Sequence, residues 1–259
     1  MTTVDDQKPR QRARGAEPTR PRSAWRSQYW VLLLAIYCVG FAIYGESHYL
    51  TFNPALSRAL PARADVPFQY PLLALHVGFG AIAILLAPLQ VWPWLREHHP
   101  KVHRRIGLVY FLAGVFPAGI LAVGVAILSS AGQSTRMALL TLAVLWLSTT
   151  VAGFRAAIQG RYDDHRRWMV RNVALTTSIV TARPIFFANF YAISWWASPT
   201  YADEPFTQFT QSYATGIWLA TIIHLVIAEW VILRPRRRAR RVPAQRAAES
   251  PAAPVALVD

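Results

Sequence analysis

Two stretches open alike: His103-Arg104-Arg105 and His165-Arg166-Arg167-Trp168-Met169-Val170-Arg171. Each follows one apolar run and opens the next. Basic clusters at such junctions are what a polytopic membrane protein keeps on its cytoplasmic side. Both stretches are therefore read as cytoplasmic turns of an all-α, membrane-embedded helical bundle.

Working outward, six apolar runs emerge, at about 29–45, 71–92, 106–128, 137–158, 172–193 and 213–233. A helix needs roughly 20 residues to cross the hydrocarbon, and only the first run falls short. The runs are continuous rather than alternating, which predicts helices and not barrel strands. Pro71, Pro88, Pro117 and Pro184 lie within or near the ends of runs, where neighbouring helices can satisfy the carbonyls they free. Lys and Arg gather in the N-terminal tail, in loops 93–105 and 159–171, and in the C-terminal tail. The opposite loops, 46–70, 129–136 and 194–212, hold only Arg58, Arg63 and Arg136 as cations. This bias predicts six transmembrane helices with both termini cytoplasmic. Trp30, Trp92, Trp94, Trp195 and Trp196 stand at run ends, as an aromatic belt does.

The bulk numbers agree. Of 259 residues, 54% are hydrophobic and 15% charged, with mean hydropathy +0.25, which excludes an ordinary soluble domain. The net charge of +14 and pI of about 10.8 would point to nucleic acid in a soluble chain. Here the charge sits at the ends of apolar runs and marks topology instead, so no nucleic-acid partner is expected. The partners expected are the bilayer itself and anionic headgroups at the basic turns and tails. The Arg-rich segment 1–28 and segment 234–259, with Arg234-Pro235-Arg236-Arg237-Arg238, are predicted to be disordered cytoplasmic tails around a 29–233 transmembrane domain. No cleavage site follows the first run, so a signal peptide is not expected. Cys38 is the only cysteine, which rules out an intrachain disulfide. The excess of Arg over Lys points to a GC-rich bacterial genome, hence to a bacterial cytoplasmic membrane.

The two His-Arg-Arg elements lie 62 residues apart and face one side. This weak repeat predicts two tandem hairpins, a core of helices two to five flanked by helices one and six. Arg183 falls near the bilayer centre, where a charged Arg costs about 2.5–3.5 kcal/mol on insertion scales. It must meet an anion, a carbonyl or water. The one intramembrane acid in these runs is Glu229, about 10 Å away along straight helices. An anionic ligand group and a structural tie from helix five to helix six are the two readings. His103 and His165, at matching depth, are candidate axial ligands of one haem iron, or interfacial residues that snorkel to headgroups. His76 and His224 are candidate ligands too, or interhelical hydrogen-bond partners. Gly114, Ala118, Ala122 and Ala126 form a small-residue stripe that admits a neighbouring helix or a flat cofactor. Asp163 and Asp164 are expected to pair with the Arg cluster or to favour a helix start. Walker, Rossmann, HExxH and GxSxG motifs are absent from the sequence.

The pattern His76-Val77-Gly78-Phe79-Gly80 running on to Pro88-Leu89-Gln90, then His103-Arg104-Arg105-Ile106-Gly107-Leu108-Val109-Tyr110, then His165 to Arg171, with Arg183 in the next helix, resembles the bacterial predicted membrane proteins grouped as domain of unknown function 2306. The resemblance covers roughly 70–190 and implies a multi-spanning membrane protein without naming a reaction. A more distant architectural likeness is to cytochrome b561-like six-helix proteins, whose core histidines bind haem. The chain departs from that pattern because helix four has no His. Three functional expectations arise. One is membrane redox, with haem b or a quinone as cofactor or partner. In it His103 and His165 would ligate iron, His76 and His224 would be further ligand candidates, and Arg183 would meet a propionate or quinone oxygen. Another is a non-redox module that binds or moves a small anionic or lipid-like ligand at Arg183. A structural partner of a membrane complex, docking through its basic tails, is the third.

Overall fold

The structure, a computed structural model, describes residues 28–51, 53, 65–196, 201 and 203–234. The two tails lie outside these apart from Gln28 and Arg234, as do Arg58 and Arg63. The described residues form helices and turns, with no strand among them. We number the helices α1 (Tyr29–Phe41), α2 (Gln69–Val91), α3 (Pro93–His98), α4 (Pro100–Leu128), α5 (Gly132–Ile158), α6 (Tyr162–Trp196) and α7 (Pro205–Leu233). Five of them, α2 and α4 to α7, are long and apolar enough to cross a membrane. The first apolar helix runs Tyr29–Gly45, shorter than these, and ends in a π-turn over Ala42–Glu46.

Local chemistry sets the boundaries. Pro93, Pro100 and Pro205 each open a helix, where a missing N–H costs nothing. At the end of α5, Gly160 adopts φ +70°, with Arg161 N–H bonded to the Ala156 carbonyl (2.9 Å) and Gly160 N–H to that of Ala157 (3.1 Å). This Schellman pattern reverses the chain at once. The next helix therefore starts at Tyr162, with Asp163 and Asp164 in its favourable first turn. Asp164 also pairs with Arg161 at 2.6 Å. The His-Arg-Arg elements are thus early turns of α4 and α6 rather than loops. Hydropathy missed these basic helical extensions because it sees only the apolar part of each helix.

Within α4, residues Tyr110–Val115 form a π-turn just before Pro117. The wider turn makes room for a residue that clashes with the carbonyl four positions back. Gly114 then approaches α2 so closely that a Cβ would lie 3.1 Å from the Ala83 nitrogen.

The predicted hairpins α2/α4 and α5/α6 are present, but the helix that ends at Leu233 is no flank. A Cβ on Gly216 would lie 2.7 Å from the Ala182 carbonyl oxygen, so the α6 and α7 backbones nearly touch. α1 is the peripheral helix. It is anchored by Tyr37, whose hydroxyl donates to the Val180 carbonyl (3.1 Å), and by buried Cys38 packed with Ile84 and Val180.

Candidate functional site

The starts of α4 and α6 and the end of α7 share one end of the bundle, here called the basic end. Arg171 on α6 grips Glu229 on α7 there with a two-pronged bond, Nε–Oε1 at 2.5 Å and Nη2–Oε2 at 3.0 Å. The tie expected between Arg183 and Glu229 is corrected by this pair. Arg171 faces Glu229 directly, and Arg183 lies about 18 Å further along the helix.

The rest of the HRRWM-x-R element is accounted for by packing. His165 Nδ1 sits 2.9 Å from the Gly153 carbonyl on α5. Trp168 and Met169 close over the same glycine, with the Met169 sulfur 3.3 Å from where its Cβ would be. Arg171 also stacks on Trp168, 4.9 Å from the ring centre. His103 stands in the first turns of α4 at the same basic end. Its Nδ1 is buried without a hydrogen-bond partner among the described residues, and so is Gln90 Nε2.

About two turns deeper than the histidines is a polar knot. Tyr110 and Asn172 stand at equivalent places in the two halves, each seven positions after its His. The Tyr110 hydroxyl donates to Asn172 Oδ1 at 2.7 Å and lies 2.7 Å from Thr176 Oγ1. Asn172 Nδ2 donates to the Thr150 and Thr149 hydroxyls at 2.8 and 3.0 Å. Trp146 Nε1 donates to Thr176 at 2.8 Å. Tyr110 and Asn172 are fully buried, and with no water to compete such bonds must be satisfied within the protein. Sequence reading did not single out this knot. Its available signal was Asn172 and two Thr pairs, Thr149-Thr150 and Thr176-Thr177, in otherwise apolar runs.

Above this floor opens a cavity of about 830 Å³, towards the end away from the basic residues. That volume suits a drug-sized or lipid-like molecule. Trp146 and Thr176 form part of its base, and His76, Arg183 and Gly80 line its walls. An aromatic cluster from α6 and α7 closes one side: Phe186 to Phe209 at 5.1 Å, Phe209 stacked with Tyr213 at 6.3 Å. Arg183 lies over the Tyr213 ring at 5.2 Å, a cation–π contact worth more away from water. Gly80 is buried, yet a Cβ there would meet nothing within 4 Å, so the space beside it is cavity.

His76 Nδ1 lies 2.9 Å from the Ala118 carbonyl oxygen. A carbonyl only accepts, so Nδ1 carries a proton, and in the neutral tautomer this fixes, Nε2 is an acceptor. Ala118 belongs to the small-residue stripe, which therefore both lets α2 approach and orients this histidine. Ala122, one turn on, lines the cavity.

The five histidine and arginine candidates fall into separate places. His76 and Arg183 share the cavity. His103 and His165 share the basic end and do not line it. His224 is engaged at both nitrogens, with Nδ1 3.0 Å from the Ala174 carbonyl and Nε2 2.9 Å from Thr181 Oγ1. It ties α7 to α6, and the structure does not bring it to His76.

Among known families, a model described as a predicted membrane protein (DUF2306) matches residues 73–232. No curated protein and no solved structure matches the chain.

Proposed function

Since the chain belongs to the DUF2306 family of predicted membrane proteins, whose description stops at the membrane, we propose from its geometry that it binds a small amphipathic ligand in the cavity between His76 and Arg183. One observation carries this reading. A cavity of about 830 Å³ with otherwise largely apolar and aromatic walls contains a guanidinium and an imidazole acceptor. The guanidinium donates, so it takes a carboxylate, phosphate or carbonyl oxygen. The imidazole Nε2 accepts, so it takes a hydroxyl or another N–H or O–H donor. The ligand head therefore carries both kinds of group, and its body is apolar.

A quinol meets this description, with one hydroxyl towards His76 and an oxygen towards Arg183. The membrane-redox reading rests on that fit. Haem finds less support, because His103 and His165 stand apart from the cavity and His224 has both nitrogens engaged. In this reading the basic end faces the cytoplasm of a bacterial cell and the cavity lies in the opposite leaflet. The Arg-rich starts of α4 and α6 support that orientation. The helix 29–45 is then a sixth span, which brings both termini inside.

The test is extraction and mass analysis of molecules that stay with the detergent-purified full-length protein, alongside oxidised and dithionite-reduced absorption spectra. Wild type is expected to retain an amphiphile that Arg183→Gln and Gly80→Leu lose and His224→Ala keeps. Equal retention by the Arg183 and Gly80 variants refutes the cavity reading. A sharp reduced α-band that vanishes in His103→Ala or His165→Ala replaces it with a b-type cytochrome.

A further inference from the structure

We infer that the ligand enters sideways from the bilayer, through a slit between the end of the first helix and α6, so that it is a lipid-phase amphiphile of the leaflet away from the basic end. The inference rests on the cavity reading above and adds the source of the ligand and its route. It follows from which wall residues face outward. Of the residues lining the cavity, three are also largely exposed: Tyr44 at 70%, Phe187 at 50% and Tyr191 at 65%. The remaining lining residues are buried or half-buried. A side chain that borders a cavity and the outside at once stands at its mouth. The mouth therefore lies between Tyr44 on the π-turn after α1 and the Phe187–Tyr191 edge of α6.

Position decides what that mouth opens into. Trp195 and Trp196, 90% and 89% exposed, end α6 where an aromatic belt sits. Phe187 lies about 12 Å below Trp195 along the helix, inside a hydrocarbon layer about 30 Å thick. The slit thus runs from headgroup level into the acyl region. Its two α6 residues stack on each other, centroids 6.4 Å apart and planes 20° apart, and present ring faces to passing chains. Below it α1 and α6 are closed by Tyr37 on Val180 and by the Cys38 cluster. A single-tailed molecule can place its head at Arg183 and leave its tail in the slit.

The probe is a fatty acid bearing a diazirine near its carboxylate, supplied from vesicles to full-length protein in lipid nanodiscs. Photolabelling near His76 and Arg183 is followed in time. Phe187→Ala and Tyr191→Ala change exposed side chains and are expected to fold. They should speed labelling several-fold, and Gly80→Leu should abolish the plateau. Unchanged rates in both mouth variants, with the plateau still lost in Gly80→Leu, overturn the lateral route and leave the cavity reading standing. A plateau untouched by Gly80→Leu overturns both. Faster labelling when the probe is supplied in water without vesicles overturns the lateral route and assigns access to the aqueous side.

Discussion

Replacing Asn172 by Leu and Tyr110 by Phe, singly and together, measures how tightly the two halves are joined beneath the cavity. Asn172→Leu keeps roughly the same volume and removes the acceptor of the Tyr110 hydroxyl. It does not strand the threonines, because Thr149 keeps the Leu145 carbonyl at 2.9 Å and Thr150 keeps that of Trp146 at 2.6 Å. Tyr110 keeps Thr176 at 2.7 Å. The loss is then a few interhelical bonds, each about 0.6 kcal/mol and up to about 1.7 in membranes, for a total near 1–2 kcal/mol. Tyr110→Phe leaves Asn172 Oδ1 buried without its donor, at a cost of about 1–3 kcal/mol. In the double variant that stranded oxygen is gone, so the combined loss should fall short of the sum by about 0.6–1.7 kcal/mol. Reversible unfolding by SDS titration in mixed micelles gives all three values. Additivity within about 0.3 kcal/mol would refute a direct Tyr110–Asn172 bond.

The remaining predictions concern the helix contacts. Gly216→Ala puts a methyl group 2.7 Å from the Ala182 oxygen and should destabilise by about 1–3 kcal/mol, whereas Gly40→Ala meets nothing within 4 Å and should stabilise by about 0.5–1 kcal/mol. Thermal melts of the two purified variants should move in opposite directions, and a shared direction contradicts the packing of α6 on α7. Glu229→Gln breaks the fork with Arg171, but Glu229 is 44% exposed, so the cost should stay below about 1 kcal/mol and shrink at high salt. A salt-independent loss several times larger in the same melts contradicts a partly exposed pair.

Hydropathy and the Lys/Arg bias located the long helices because burial in lipid imposes continuous apolar runs. Their ends were less legible. The segments Pro100–Arg105 and Tyr162–Arg171 are helical yet polar, so no transfer scale registers them. Depth arguments from straight helices placed Arg183 in the apolar region and paired it with Glu229. They could not see that Arg171 lies nearer, since that depends on the register of α7 against α6. The motif residues His165, Trp168 and Met169 turned out to pack against one glycine, Gly153, a contact that spacing alone does not reveal. The aromatic cavity wall was invisible for a similar reason. Phe186, Phe209 and Tyr213 are ordinary apolar positions on their own helices and become a wall only when two helices cross at Gly216. His76 is half-buried on α2, and the carbonyl that sets its tautomer belongs to another helix, a contact that spacing does not show.

The π-turn at Tyr110–Val115 has a consequence for the register of α4 against α2. Such a turn is an α-helix with one residue too many, and it rotates the rest of the helix by about 100°. Before it, α4 and α6 correspond position for position, His103 to His165 and Tyr110 to Asn172. Beyond it the correspondence slips by one. The turn itself carries Gly114 against Ala83, and the slip beyond it brings the Ala118 carbonyl to His76. Removing one residue inside the turn would rotate Ala118 by about 100° about the helix axis and take its carbonyl away from His76. The π-turn thus acts as a register device: the extra residue on α4 is what aims a backbone oxygen at a histidine of α2.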